Sequence, residues 1–230
     1  AAEKAGIIKP DSSIVVGETD PSLVELFLGR AHDREWLRGE HFDVLDNELA
    51  LGGRLVELRT PFGRHGDLFV PLHGRHQADN AVVALTAVES FFDGPLAEDV
   101  VAAGFAQVQM PGRFEVVGYQ PLVILDGAHN PHGADVCADV FFTDFDPAGA
   151  RILVVGCLRS REPLGMLEAL RADEFDAVIC CTAPSPRGIP GEEVATAARS
   201  LGCDAVHVAA TVEQACDLAL VERSAEIGRA

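Results

Sequence analysis

The chain has 230 residues, 48% of them hydrophobic, which is enough to build one large or two small folded domains. Its 18 basic and 36 acidic residues give a net charge of −18, so it has no general attraction for nucleic acid or an anionic membrane. No apolar run reaches the ~18 residues that cross a bilayer. The six cysteines lack CxxC and zinc-site spacing. We therefore expect buried, reduced thiols and a cytoplasmic protein.

The first half of the chain mixes helix and strand patterns. In chain order it predicts the end of a helix at 1–10, a strand at 13–17, a helix at 21–31, a hairpin that turns at Gly52-Gly53, a strand at 66–72, and helices at 80–92 and 96–108. The hairpin prediction depends on apolar/polar alternation on both sides of the two glycines.

After Met110-Pro111-Gly112 the pattern changes to short strands, rich in valine and isoleucine, that alternate with helices. The strands fall at 114–118, 122–126, 152–156, 176–181 and 204–209, and the helices at about 132–142, 163–172, 191–201 and 212–223. Such alternation predicts βαβ units and a parallel sheet that is buried on both faces. The domain boundary should lie near residues 110–113.

The most informative motif is ILDGAHNPHG at 124–133. It predicts a buried strand that ends at Leu125, with Asp126 at its carboxyl end and Pro131 opening the next helix. Ligands bind at the carboxyl ends of strands in open α/β sheets, and helix N-termini attract anions. Asp126 is thus placed to bind a hydroxyl or a cation, and His129 to reach a phosphate or a reacting group. Alternatively, Asp126 caps the helix and His129 is a surface loop residue.

Two further motifs are less specific. Arg113, in MPGRFE at the domain boundary, can clamp a phosphate, or it can form a surface pair with Glu115. In HGRHQADNAVVAL, His76, Gln77 and Asn80 belong to the first turn of a helix. The Asn80 amide can bind a base or a magnesium-bound phosphate, although helix capping explains an asparagine there equally well.

The remaining candidates are a lysine and a loop. Lys4 and Lys9 are the only lysines, and a solvated charge is the default interpretation of either. Ser185 and Arg187 belong to a proline-rich stretch after a strand, where they can bind an anionic group or form a plain loop. Without a lysine after residue 9 there is no GxxxxGK[ST], and GxGxxG, GxSxG and HExxH are absent too.

Five stretches in order resemble folylpolyglutamate synthase/dihydrofolate synthase, a family of the Mur ligase superfamily: AAEKAGIIKP, GRHQADNA, MPGRFEVV, VILDGAHNPHGA and the loop ending SPRG. The resemblance implies an α/β fold in two domains. Residues 1–112 would be the C-terminal part of a P-loop, ATP-binding Mur-ligase central domain, and 113–230 a Rossmann-like Mur-ligase C-terminal domain with a mainly parallel sheet. It also implies a chain that is truncated at both ends, lacks the phosphate-binding loop and is itself inactive.

The family resemblance also implies an activity. A member of this family is an ATP-dependent ligase that adds L-glutamate to folate or dihydropteroate through an acyl phosphate and uses ATP and Mg²⁺. The resemblance further implies a cytoplasmic monomer that acts in folate biosynthesis and one-carbon metabolism. By position in the family motifs, Asn80, Arg113 and Asp126 contact ATP, and His129 is a catalytic residue near the transferred phosphate. Lys4 matches a lysine that is carbamylated and organises a metal ion.

Other candidates and other functions stay open at this point. The family motifs give less support to a functional role for four further candidates, His76, Gln77, Ser185 and Arg187. One alternative function is that of a cell-wall Mur-type ligase, which adds an amino acid to a nucleotide-linked peptide. The other is a non-catalytic α/β module that binds a ligand or a partner.

Overall fold

The computed structural model describes residues 2–145, 149–159 and 162–227, and side chains up to residue 221. Ala1, where the predicted first helix begins, lies outside these ranges. The chain divides into two units, Ala1–Pro111 and Gly112–Ala230. In the part of the chain that the structure describes, no helix combines the length and the apolar character needed to cross a membrane.

The first unit contains two separate sheets. Its elements are α1 (Ala2–Ala5), β1 (Ser13–Val16), α2 (Pro21–Leu28), β2 (Arg34–Leu37), β3 (Asp43–Ala50), β4 (Gly53–Thr60), β5 (Gly63–Val70), α3 (His76–Phe92) and α4 (Glu98–Ala106). Strands β1 and β2 are parallel, whereas β3, β4 and β5 form an antiparallel sheet. The predicted hairpin between β3 and β4 is confirmed, and Gly52 at its turn has φ +79°, a conformation that glycine adopts without steric cost.

The core of the first unit lies between helix α3 and the antiparallel sheet. Val82 and Leu85 of α3 pack with Leu58 of β4 and with Phe42, just before β3. Helix α3 begins at His76, whereas apolar spacing alone predicts a start at Asn80. The spacing misses the first turn because most of its residues are polar.

The second unit is built around a parallel sheet. Its elements are β6 (Glu115–Tyr119), β7 (Leu122–Leu125), α5 (Pro131–Asp144), β8 (Ile152–Val155), α6 (Pro163–Ala169), β9 (Ala177–Cys181), α7 (Gly191–Leu201), β10 (Val206–Ala209) and α8 (Val212–Ile227), with a short 3₁₀ turn at Ala172–Glu174. The strands β10, β9 and β8 are parallel and lie in that order. All five residues of β9 are buried. This agrees with the prediction of a parallel sheet covered on both faces.

Strand β7 ends at Leu125 as predicted, but the prediction that this strand is buried is wrong. Strand β7 pairs antiparallel with β6 in a two-stranded sheet, and Leu125 is 48% exposed. An apolar sequence such as LVIL indicates a strand, but its burial depends on what covers it. In β7 exposed and partly buried positions alternate.

Most of the cysteines are buried, as the sequence predicts. Cys157, Cys180, Cys181 and Cys203 are buried, Cys137 is partly buried and Cys216 is exposed. Burial raises the pKa of the Cys180 thiol to about 12, and neighbouring thiols contribute. At neutral pH this thiol stays protonated and therefore unreactive.

We predict that native thiol titration at pH 8 with an aromatic disulfide reagent shows one fast-reacting group, Cys216. The four buried thiols should react only after denaturation, because they are shielded from the reagent and because burial raises their pKa values. The variant Cys216→Ser should lose the fast phase. A fast phase that persists in this variant contradicts the assignment.

Candidate functional site

Asp126 joins two segments that carry predicted site residues. It directly follows β7, and its Oδ2 accepts the Phe114 N–H at 2.8 Å while its Oδ1 accepts the Ala128 N–H at 2.7 Å. Between these bonds the Gly127 N–H donates to the Gly112 carbonyl at 2.8 Å. The carboxylate therefore holds the MPGRF segment beside the DGAH loop. The two oxygens together have more lone pairs than these bonds use, so the carboxylate can also accept from a ligand.

The Arg113 side chain lies over this loop. A Cβ built at Gly127 would be 3.2 Å from Arg113 Nη1 and 3.2 Å from the Gly112 carbonyl oxygen, so the close approach favours glycine. On either side of Arg113 the backbone has positive φ, +67° at Gly112 and +46° at Phe114. Phe114 is a non-glycine residue in this uncommon conformation, and its hydrogen bond to Asp126 helps to maintain it. The MPGRF segment is thus shaped to direct the Arg113 guanidinium towards Gly127.

The sequence left open an ion pair between Arg113 and Glu115. In the structure the Glu115 carboxylate accepts the Gly112 N–H at 2.8 Å. Its described hydrogen bond therefore goes to the backbone that shapes the turn rather than to the guanidinium.

Helix α5 begins just after His129, and Asn130 caps it. The Asn130 side chain accepts the Gly133 N–H at 2.9 Å, and Pro131 occupies the first helical turn. The alternative in which Asp126 caps this helix is therefore wrong. His129 Nδ1 lies 3.0 Å from the Gly127 carbonyl oxygen. A carbonyl oxygen can accept only from a protonated Nδ1, so Nε2 of this exposed ring is the nitrogen left to meet a ligand.

A residue that sequence reasoning did not single out also faces Asp126. Burial, and then the charge and hydrogen bonding of Asp126, raise the pKa of the Cys137 thiol to about 12. The thiol is therefore a neutral donor towards the carboxylate. The sequence places Cys137 only about two turns into helix α5 (Pro131–Asp144), and thus near Asp126 along the chain. Its position in the sequence does not show which face of the helix is directed towards Asp126.

In the first unit, three predicted residues lie together at the start of α3. The Asn80 Nδ2 donates to Gln77 Oε1 at 3.0 Å, with Gln77 buried and Asn80 exposed. His76 is the first residue of this helix and is partly buried. The helix begins after Gly74, which has φ +98° and whose carbonyl accepts the Gln77 N–H at 3.1 Å. Gln77 thus orients the exposed Asn80 amide.

Ser185 and Arg187 form a local turn between β9 and α7. The Arg187 N–H donates to Ser185 Oγ at 3.3 Å, and the Gly188 N–H donates to the Ser185 carbonyl at 2.8 Å. The Arg159 N–H donates to the Arg187 carbonyl at 2.8 Å, so the loops that follow the neighbouring strands β8 and β9 lie side by side. The pair is therefore at the carboxyl edge of the parallel sheet.

Lys4 lies in the short helix α1, and its side chain is exposed. A lysine carbamate needs further anionic or histidine ligands to hold a metal ion. Within the described residues, no group of three or more histidines, cysteines, aspartates or glutamates is placed to hold one. Among the described residues there is therefore no such ligand cluster for Lys4 to join.

Residues 112–227 match the Mur ligase glutamate ligase domain. This match covers about half of the chain, and the chain therefore belongs to the Mur ligase family. The predicted α/β Mur-ligase fold is confirmed.

Individual relatives narrow the class. The dihydrofolate synthase/folylpolyglutamate synthase of Mycobacterium tuberculosis is 38% identical in an alignment 235 positions long, which covers 95% of this chain and 47% of the relative. The structure of Mycobacterium tuberculosis folylpolyglutamate synthase complexed with ADP aligns with a TM-score of 0.89 at 38% identity, over 96% of this chain and 50% of that one. The resemblance drawn from the motifs is thus confirmed.

A third comparison concerns a bifunctional folylpolyglutamate synthase/dihydrofolate synthase with Mn, AMPPNP and L-glutamate bound. It aligns with a TM-score of 0.76 at 25% identity, over 96% of this chain and 50% of that one. The chain spans about half the length of the relatives that it matches.

Proposed function

We propose that this chain contributes to an ATP-dependent ligase that adds L-glutamate to folate or dihydropteroate. The observation that carries the proposal is the Asp126 carboxylate, which accepts backbone N–H groups next to Arg113 and next to His129 and so joins the two segments that carry them. This arrangement occurs in a chain whose relatives include a folylpolyglutamate synthase with ADP and a bifunctional enzyme with AMPPNP and L-glutamate. We propose a cytoplasmic monomer, to be tested by light scattering and cell fractionation.

The proposed reaction has two steps. A carboxylate oxygen of the pteroate or folate attacks the γ-phosphorus of ATP, which forms an acyl phosphate and releases ADP. The glutamate amine then attacks the acyl carbon, loses a proton and forms a tetrahedral intermediate that expels phosphate. Negative charge gathers first on the transferred phosphoryl group and then on the acyl oxygen, so the protein has to supply positive charge and hydrogen-bond donors.

The roles proposed for the second unit follow from its geometry. The Arg113 guanidinium is a two-pronged donor that suits phosphate oxygens. Asp126 holds the loop that carries it and keeps lone pairs for an ATP contact. His129 presents Nε2 on the exposed side of the loop, where it can reach the transferred phosphoryl group. Ser185 and Arg187 are proposed as a secondary site for an anionic substrate group.

The first unit is proposed to hold ATP through the start of α3. The Asn80 amide, oriented by Gln77, offers both a donor and an acceptor, which is the pattern that a nucleotide base requires. His76 in the same turn is a further candidate.

The metal is proposed to be Mg²⁺, with Lys4 as its carbamylated ligand. A divalent cation would neutralise phosphate charge during transfer. The residues that the structure describes do not fit a complete metal site, since they include no cluster of three histidine, cysteine or carboxylate ligands. No step of the proposed reaction is therefore assigned to a metal held by these residues.

The activity is tested by ADP release from the protein expressed from its complete coding sequence. Dihydropteroate and tetrahydrofolate are each supplied with L-glutamate and ATP, and the glutamylated product is identified by mass spectrometry. If neither dihydropteroate nor tetrahydrofolate leads to release of ADP, the proposal is refuted. A parallel reaction with a nucleotide-linked cell-wall peptide tests the other ligase class, and ADP binding without turnover would indicate a binding module.

The variant Asn80→Ala is predicted to raise KM for ATP about fivefold and to leave kcat within twofold of the wild type. Loss of one neutral hydrogen bond that is present in both ground and transition states weakens binding without slowing chemistry. Steady-state kinetics at varied ATP measure both constants. Val88→Ala, at an exposed position of the same helix, is the control. An unchanged KM for ATP in Asn80→Ala would remove Asn80 from the site.

A further inference from the structure

The first unit contains a buried arginine that the proposed chemistry does not use. Arg54 is the second residue of β4 (Gly53–Thr60) and is only 3% exposed. Its Nε donates to Asn47 Oδ1 at 2.8 Å, and its Nη2 donates to the Asn47 main-chain oxygen at 3.0 Å. Burial of a guanidinium costs hydration free energy, which such hydrogen bonds offset. Both of them fix the position of Asn47.

Asn47 in turn contacts the start of helix α3. Its Nδ2 donates to the Arg75 carbonyl at 2.9 Å, and the same carbonyl accepts the Ala78 N–H at 3.2 Å. Arg75 occupies the N-cap position of α3, and no side-chain capping bond is described there. The Asn47 amide therefore supports the first turn from the neighbouring strand β3.

A second arginine supports the same helix. Arg38 Nη2 donates to Asp79 Oδ1 at 2.6 Å, and Arg38 Nε donates to Asp43 Oδ1 at 3.3 Å. Asp79 lies in the first turn of α3, and Asp43 is the first residue of β3. Two connections thus attach this turn to strand β3. In one, Asn47 bonds the Arg75 carbonyl, and in the other, Arg38 links Asp79 to Asp43.

We propose that Arg54 and Asn47 are positioning residues for nucleotide binding. By holding the Arg75 carbonyl they set the direction of the first turn of α3, and with it the positions of Gln77 and the exposed Asn80 amide. This inference rests on the proposed function, in which that amide contacts ATP. Neither Arg54 nor Asn47 needs to touch the nucleotide.

The variant Asn47→Asp separates the bond between Arg54 and residue 47 from the bond between residue 47 and the Arg75 carbonyl. Its carboxylate still accepts from Arg54, and more strongly because both groups are charged. It has no N–H to donate to the Arg75 carbonyl, so only the bond to the helix is lost. We expect the melting temperature to stay within about 3 °C of the wild type, since one bond is lost and another is strengthened. Amide exchange at Gln77 and Ala78 should become about tenfold faster, and ADP should bind about fivefold more weakly.

Kinetics distinguish positioning from a general loss of structure. In the protein expressed from its complete coding sequence, KM for ATP should rise in Asn47→Asp while KM for L-glutamate stays the same. General destabilisation would affect both constants. Arg54→Lys should act in the same direction, since lysine keeps the charge but lacks the fork that bonds both Asn47 oxygens. Arg64→Gln, which breaks the exposed pair with Glu57, is the control and should leave ADP affinity unchanged.

The outcomes separate this inference from the function on which it rests. If the wild type binds ADP and both Asn47→Asp and Arg54→Lys bind it equally well, the positioning role is overturned. If the wild type does not bind ADP, the proposed function fails, and the nucleotide role of this turn fails with it. Exchange rates at Gln77 and Ala78 that do not change in Asn47→Asp overturn the structural connection itself, whether or not nucleotide binds.

Discussion

Replacement of Arg113 with alanine is expected to lower kcat/KM for glutamate ligation about a thousandfold. The expectation depends on geometry, because the guanidinium lies over Gly127 within the loop that Asp126 holds. A charged donor that is already in place stabilises a transferring phosphoryl group without reorganisation, so its removal acts mainly on the transition state. Steady-state assays of ADP formation, with product detected by mass spectrometry, measure the effect.

Two further variants make the Arg113 prediction specific. Arg113→Lys keeps the charge but loses the planar fork, and should retain more activity than the alanine variant. Arg199→Ala removes an exposed arginine from α7 in the same unit and should leave activity unchanged. Circular dichroism melting of each variant shows whether the fold is retained. A kcat/KM within threefold of the wild type for a folded Arg113→Ala would remove Arg113 from the chemistry.

Strands whose apolar residues form the centre of a sheet were predictable from the sequence. Strand β9, with the sequence AVICC, lies between β8 and β10 and is buried throughout, as an apolar run in a parallel sheet should be. Strand β7 has an equally apolar sequence, LVIL, but within the described part of the chain it pairs only with β6, and it stays half exposed. The difference arises from the elements packed around each strand, which periodicity does not encode.

The candidate site was predictable as residue types in motifs but not as contacts. Asp126 and Arg113 each belong to a recognisable motif. The bond from Asp126 to the Phe114 N–H, however, spans twelve residues and depends on a left-handed phenylalanine. In the first unit, Arg54 lies in an alternating strand pattern where a charged residue predicts an exposed position. Its burial and its bonds to Asn47 are tertiary features, so this part of the site was found only in the structure.

Replacement of Asp126 should affect both stability and activity, because this carboxylate accepts bonds from the backbone on both sides of the loop. In Asp126→Ala the Phe114 and Ala128 N–H groups lose their acceptors, and the left-handed conformation of Phe114 loses its support. The free energy of unfolding should fall by about 2 kcal/mol. Activity should fall at least a hundredfold, since Arg113 and His129 lose their common frame. Urea denaturation and ADP-release assays measure the two effects.

Asp126→Asn provides a readout of the same contact that is independent of catalysis. The amide keeps an acceptor oxygen but loses the charge, which contributes after burial to the raised pKa of Cys137. That pKa should therefore fall below about 12. The thiolate fraction at pH 8 then rises, and Cys137 should react faster with a disulfide reagent in a Cys216→Ser background. Asp176→Asn is the matched control, because Asp176 also accepts a backbone N–H, that of Arg151 at 2.7 Å, but directly precedes strand β9 instead of following a strand as Asp126 does. It should alter neither the reactivity of Cys137 nor ligase activity.

Unchanged Cys137 reactivity in Asp126→Asn would show that the carboxylate does not face this thiol, and would weaken the assignment of Asp126 as the residue that holds the loop together.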